Sequence, residues 1–158
     1  MTKIDTTHVN NCSLLILRNI LLIVLQLSLG CRFGELSNLN ANDILFTNCG
    51  ADVTIGKSKT DQKMKGSTVF LAYDESSFNS VYLLNLWLNR SQLAQFPNLP
   101  LFPKLVCYNK SKSLYTFNFM THITYEQGRQ NIKDFCDLAH LPRTKLKKNY
   151  QRIVLAQV

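Results

Sequence analysis

Residues 14–36 read LLILRNILLIVLQLSLGCRFGEL, a long apolar run that ends in a glycine and then an isolated arginine. Ser13 is a suitable N-cap before the run, and Gly30 is a typical C-cap after it. Because the run is apolar on nearly every face, it predicts a helix surrounded by other elements of the core. It has 16 residues up to Leu29 and is interrupted by Arg18. Since a membrane span needs about 20 apolar residues, we expect a buried helix and no membrane partner.

Shorter patterns follow the long helix and predict a mixed fold. We predict a short helix at residues 32–36, and after it three strands and two longer helices from alternating and helical spacing of apolar residues. The strands lie at residues 44–46, 51–55 and 68–71, and the helices at residues 76–93 and 125–138. Residues 104–120 mix aromatic side chains with lysines and show no clear period. The expected fold class is mainly α with a small three-stranded antiparallel β-sheet (α+β). Residues 1–12 are expected to form a ragged segment before one domain at 13–158.

The chain is basic, and its basic residues are clustered. It has 158 residues, with 18 Lys or Arg against 10 Asp or Glu, for a net charge of +8. Such an excess favours polyanions as partners, and two separated clusters suit a phosphate backbone. The alternative is a basic soluble protein with a solvated lysine turn. The candidate DNA-binding residues are Lys57, Lys63, Lys65, Lys145, Lys147 and Lys148.

Cysteine and histidine spacing argues against a metal site. The five cysteines are scattered and form no C-x-x-C pair, so we expect free thiols in a reducing compartment. His8, His122 and His140 lack ligand spacing. The sequence also contains no phosphate-binding loop of the G-x-x-x-x-G-K-[ST] type. We therefore predict that the protein uses no metal and no small-molecule cofactor.

Four motifs occur in a characteristic order along the chain. They are G-x-R-x-x-E-L at residues 30–36, Asp43-Ile44 before a strand, SKTDQ at residues 58–62, and Leu-Phe-Pro at residues 101–103. In this order they resemble the catalytic domain of the tyrosine recombinase (phage integrase) family, over about residues 14–138. The SKTDQ segment after a strand is most similar to the eukaryotic and retroelement branches. The resemblance implies DNA strand breakage and rejoining during integration or site-specific recombination.

The resemblance implies a role for each matching residue. Arg32 would clamp the phosphate being cut, because a planar guanidinium matches two phosphate oxygens with paired hydrogen bonds. Lys59 would be the general acid that protonates the leaving 5′-hydroxyl. His140 and Arg143 match the family's H-x-x-R motif, which supplies a general base and a second clamp.

Other interpretations of these residues stay open at the level of sequence. Arg32 would have a purely structural role if it paired with Glu35 or Asp43. The segment DLAHLP resembles the family's loop before its H-x-x-R motif, in which case His140 is a plain loop histidine.

The family's nucleophile is a tyrosine beyond the second arginine, and none of the six tyrosines here has a matching context. Tyr150 comes too early after Arg143. We therefore expect a partial catalytic domain that is inactive by itself. The implied partners are double-stranded DNA and other copies of the chain on DNA, at an intracellular location that is nuclear in a eukaryote. The alternatives are a non-catalytic DNA-binding remnant, or a basic helical interaction domain that meets acidic lipid or protein.

Overall fold

The computed structural model describes residues 11–56, 66–74, 79–109 and 114–138. Within these ranges lie four complete α-helices, five strands and two short 3-10 turns. The helices are α1 (Leu14–Leu29), α2 (Phe33–Ser37), α3 (Ser80–Arg90) and α4 (Tyr125–Leu138). The strands are β1 (Ile44–Thr47), β2 (Gly50–Ile55), β3 (Ser67–Ala72), β4 (Pro103–Asn109) and β5 (Leu114–His122). The 3-10 turns are Ala41–Asp43 and Leu93–Gln95.

Helix α1 is the centre of the core, as its composition predicts. The Ser13 hydroxyl accepts a hydrogen bond from the Ile16 N–H at 3.3 Å. At the other end Gly30 adopts a left-handed conformation (φ 60°), which a side chain would disfavour. Helix α3 packs against α1 and buries Trp87 completely. In the described part of the chain, no helix combines the length and apolarity needed to cross a bilayer.

The three predicted strands are confirmed and form one antiparallel sheet in the order β1-β2-β3. Val53 lies opposite Ile44 on one side and Val69 on the other. Strand β2 begins at Gly50, one residue before its predicted start. A Cβ at position 50 would overlap the carbonyl of Leu71, so the close approach of β3 excludes any larger residue.

A second sheet lies where the sequence predicts no element. Strands β4 and β5 form a separate two-stranded antiparallel sheet, so the α+β class is confirmed but the expectation of a single sheet is wrong. Tertiary packing stabilises this sheet, because the Phe117 ring contacts the Trp87 ring edge-on at 6.0 Å. The pairing shifts between Pro103, which lies opposite His122, and Lys104, which lies opposite Asn118. The extra residues of β5 form a bulge at this point.

The two later helices are confirmed, but α3 is shorter at both ends than predicted and begins at Ser80 after the N-cap Asn79. Helix α3 ends at Arg90 rather than at Leu93, because Gln92 takes a left-handed conformation (φ 63°). Helix α4 begins after Thr124, whose hydroxyl accepts a hydrogen bond from the Gln127 N–H at 3.3 Å. Helix α4 also packs against α2, the helix that begins directly after Arg32.

Candidate functional site around Arg32

Arg32 is the residue immediately before helix α2, and both its backbone carbonyl and its backbone N–H form hydrogen bonds. Its carbonyl oxygen accepts hydrogen bonds from the Glu35 N–H at 3.0 Å and the Leu36 N–H at 3.1 Å. In return the Glu35 carboxylate accepts the Arg32 N–H at 2.8 Å. This is one half of a capping box, in which a side chain of the first helical turn satisfies the backbone of the N-cap residue. The backbone of Arg32 is therefore fixed while its side chain stays exposed.

Capping does not account for an arginine at this position. N-cap positions favour Ser, Thr, Asp and Asn, because their short side chains accept a hydrogen bond from the helix backbone. A guanidinium has only donors and cannot do this. The Arg32 side chain indeed makes no capping hydrogen bond. Capping by the side chain therefore does not explain why residue 32 is an arginine.

The structural alternative for Arg32 required a pairing with Glu35 or Asp43. Glu35 caps the Arg32 backbone, and Asp43 does the same for Asn40, accepting its N–H at 2.8 Å. Neither carboxylate forms an ion pair with the Arg32 guanidinium. The only ion pair among the described residues joins Arg129 and Glu126 at 2.7 Å. Within that part of the chain, the charge of Arg32 is thus not neutralised by an acid.

The residues on either side of Arg32 are tied to the core and to helix α4. Cys31 is buried, and burial, followed by the charge of Glu35, raises the pKa of its thiol to about 11. The thiol is therefore protonated and unreactive at neutral pH. Phe33 lies against Gly128 of α4, where a Cβ would overlap its ring. The Phe33 ring also contacts the Tyr125 ring edge-on at 5.7 Å.

The other predicted site residues lie outside the described residues. These are Lys59, His140 and Arg143 of the proposed catalytic set, and Lys57, Lys63, Lys65, Lys145, Lys147 and Lys148 of the proposed DNA-binding set. The structure fixes only the two ends of the segment that carries Lys59. Ile55 of β2 lies opposite Ser67 of β3, so the segment leaves and returns at one end of the three-stranded sheet.

Charge is divided unequally between the described residues and the rest of the chain. The described ranges hold six Lys or Arg and seven Asp or Glu, out of 18 and 10 in the whole chain. The remaining ranges therefore carry twelve basic residues against three acidic ones. The body of the fold is close to neutral, and the basic excess lies in segments 57–65, 110–113 and 139–158.

A second arginine was missed as a structural residue by the sequence analysis. Arg18 of α1 is only 1% exposed and has no carboxylate partner among the described residues. Its guanidinium donates to the Pro103 carbonyl at 2.9 Å and to the Asn19 side-chain oxygen at 2.9 and 3.1 Å. It also lies over the Phe117 ring at 5.2 Å. Burial lowers the pKa of Arg18 to about 10, so it stays charged at neutral pH.

Arg18 joins α1 to the start of β4 and to β5, which explains a charge inside an apolar helix. Sequence reasoning saw only an interruption of the apolar run, because the carbonyl and the ring that receive the guanidinium lie far along the chain. Arg18 is thus buried within helix α1, whereas Arg32, which follows the helix, is exposed.

No group of three His, Cys, Asp or Glu in the described ranges is placed to hold a metal ion. His122 instead shares a hydrogen bond with the Asn40 side chain at 3.1 Å. A scan of the sequence against models of protein families finds no match, and a search among curated proteins finds none either.

Proposed function

We propose that this chain binds double-stranded DNA and holds a backbone phosphate with Arg32, in DNA strand breakage and rejoining of the tyrosine recombinase type. The observation that carries the proposal is the state of Arg32. It is exposed, its backbone is fixed by Glu35, and it forms no ion pair among the described residues. A guanidinium presented in this way suits paired hydrogen bonds to two phosphate oxygens.

The position of the charge supports the same function. The near-neutral body would present Arg32 to one phosphate, while the basic segments would neutralise neighbouring phosphates. In this proposal Lys59 is the general acid, and His140 with Arg143 supplies the base and the second clamp. None of the chain's tyrosines matches the family's nucleophile, so we expect this chain alone to bind DNA without cutting it. A covalent protein–DNA adduct formed by the chain would contradict that expectation.

The test is duplex DNA binding measured by fluorescence anisotropy over a range of salt concentrations. We expect wild-type affinity to fall steeply with salt, because counterions are released from the neutralised phosphates. Arg32→Ala should weaken binding roughly tenfold at low salt and lower the salt slope by about one. Lys104→Ala removes one positive charge from β4 and is the matched control. It should change affinity less than about threefold.

Two outcomes would contradict the proposal in different ways. If binding is steep in salt but the same in Arg32→Ala and Lys104→Ala, the chain is a DNA-binding domain without a phosphate clamp. If duplex DNA does not bind and acidic liposomes do, the basic segments serve a lipid surface, and the recombinase function is wrong. Thermal unfolding of each variant shows whether a loss of binding is a loss of folding.

A further inference from the structure

Next to Arg32 lies an aromatic pair that the phosphate clamp does not require. Tyr125 begins helix α4 and is 70% exposed. Its ring stands almost perpendicular to that of Phe33, with 5.7 Å between centroids and 80° between planes. Phe33 follows Arg32 directly in the chain. The phenol ring is therefore held on one side by Phe33 and is open to solvent elsewhere.

The position of this pair is fixed by a glycine inside a helix. Glycine in a helix interior costs about 1 kcal/mol relative to alanine, so its presence needs a reason. At Gly128 a Cβ would overlap the Phe33 ring. The missing side chain lets α2 and α4 approach closely enough for Phe33 to reach Tyr125. The pair is thus preorganised, which reduces the entropy lost when a flat ligand binds.

A second cation follows the aromatic pair on helix α4. Arg129 comes one helical turn after Tyr125, and its side chain is 52% exposed. One of its amino groups donates to Glu126 at 2.7 Å, and a guanidinium carries five N–H donors in all. Arg32, Phe33, Tyr125 and Arg129 together define what we call the Arg32–Tyr125 surface. It combines an exposed aromatic ring with two arginines, one directly before Phe33 in the chain and one a helical turn after Tyr125.

We propose that the Arg32–Tyr125 surface binds an unpaired DNA base, which stacks on Tyr125 while Arg32 and Arg129 hold phosphates of the same strand. The inference rests on the proposed function, because it places the base beside the phosphate held by Arg32. The base must be unpaired, since a base inside a duplex offers only its edges in the grooves. An aromatic ring flanked by cations is a common arrangement for single strands, and it tolerates any sequence.

The test uses DNA with 2-aminopurine, whose fluorescence is quenched when it stacks. One probe carries it in a three-nucleotide single-stranded gap, and the other carries it paired in an intact duplex. Wild-type protein should quench the gap probe and leave the paired probe almost unchanged. Tyr125→Leu should abolish that quenching and weaken binding to the gap probe by about tenfold. Tyr125→Phe keeps the ring and should retain both properties.

Tyr82→Leu is the matched control, because Tyr82 also lies in the first turn of a helix and is 37% exposed. It should leave quenching and affinity unchanged. If Tyr125→Leu and Tyr82→Leu behave alike while Arg32→Ala weakens duplex binding, the base site is wrong and the proposed function stands. If quenching depends on Tyr125 but no binding depends on Arg32, the stacking of a base on Tyr125 stands, and the role of Arg32 in both proposals is wrong. If neither DNA binds, both proposals are wrong.

Discussion

Gly128 of α4 and Phe33 of α2 are in direct contact, and the Phe33 ring occupies the space that a Cβ at position 128 would fill. This contact joins the helix that follows Arg32 to the helix that begins with Tyr125. At this contact, the general preference of helices for alanine over glycine should not predict the effect of a substitution.

We expect Gly128→Ala to destabilise the protein by about 1–2 kcal/mol, because the new methyl group displaces the Phe33 ring. Local propensity alone predicts the opposite, a gain of up to about 1 kcal/mol. Gly34→Ala is the matched control, since it also lies in a helix and a Cβ there meets no atom within 4 Å. Urea unfolding curves measure both changes. A stabilised Gly128→Ala would show that Phe33 does not pack against α4 as described.

Arg18→Ala should lower the free energy of unfolding by about 3 kcal/mol. The change removes a buried side chain and leaves the Pro103 carbonyl without its donor. Arg129→Ala removes an exposed arginine with one surface ion pair and should change stability by less than about 0.5 kcal/mol. Urea unfolding of both variants provides the comparison. Equal effects would mean that the contacts of Arg18 contribute nothing to folding.

Gln127 closes the free edge of strand β4 with its side-chain amide. Its oxygen accepts the Leu105 N–H at 3.0 Å, and its nitrogen donates to the Leu105 carbonyl at 2.5 Å. Gln127→Glu keeps the acceptor but places a carboxylate against that carbonyl, so we expect a loss of about 1–3 kcal/mol at pH 7. Gln95→Glu introduces the same change at an exposed position and should be nearly neutral. A neutral Gln127→Glu, measured by thermal unfolding, would argue against this pairing.

The Cys31 thiol predicts a pH dependence of stability above neutral. Burial raises its pKa from the ordinary 9.0 to about 11, with Glu35 adding to the rise and a backbone hydrogen bond opposing it. Between these pH values the unfolded chain loses the thiol proton while the folded chain keeps it. The contribution of the Cys31 thiol to the free energy of unfolding is therefore fully present below pH 9, and it is lost as the pH rises through 11.

Unfolding at pH 8, 9 and 10 measures this effect. Cys31→Ala should reduce the loss of stability with rising pH, whereas Cys49→Ala, at an exposed cysteine, should not. In the folded protein at pH 8.5, iodoacetamide should label Cys49 well before Cys31. Rapid labelling of Cys31 would contradict its burial.

Local signals explain the elements that the sequence determined by itself. Ser13 and Gly30 mark the two ends of α1, because the cap residues act on the backbone of their own helix. The strands β1, β2 and β3 follow from short alternating segments with turns between them. Arg32 was also found from sequence, since an arginine just after a buried helix is unusual. Its role as a phosphate clamp is still a prediction.

Only the tertiary structure decided the features that depend on partners distant in sequence. Strands β4 and β5 have weak individual patterns, and they are recognisable only when paired with each other and packed on Trp87. Arg18 is buried because a carbonyl and an aromatic ring far along the chain receive its guanidinium. Gly128 matters because Phe33 meets it from another helix. In each case the stabilising free energy comes from contacts between segments that are distant in sequence. Secondary-structure propensities of a single segment carry no information about such contacts.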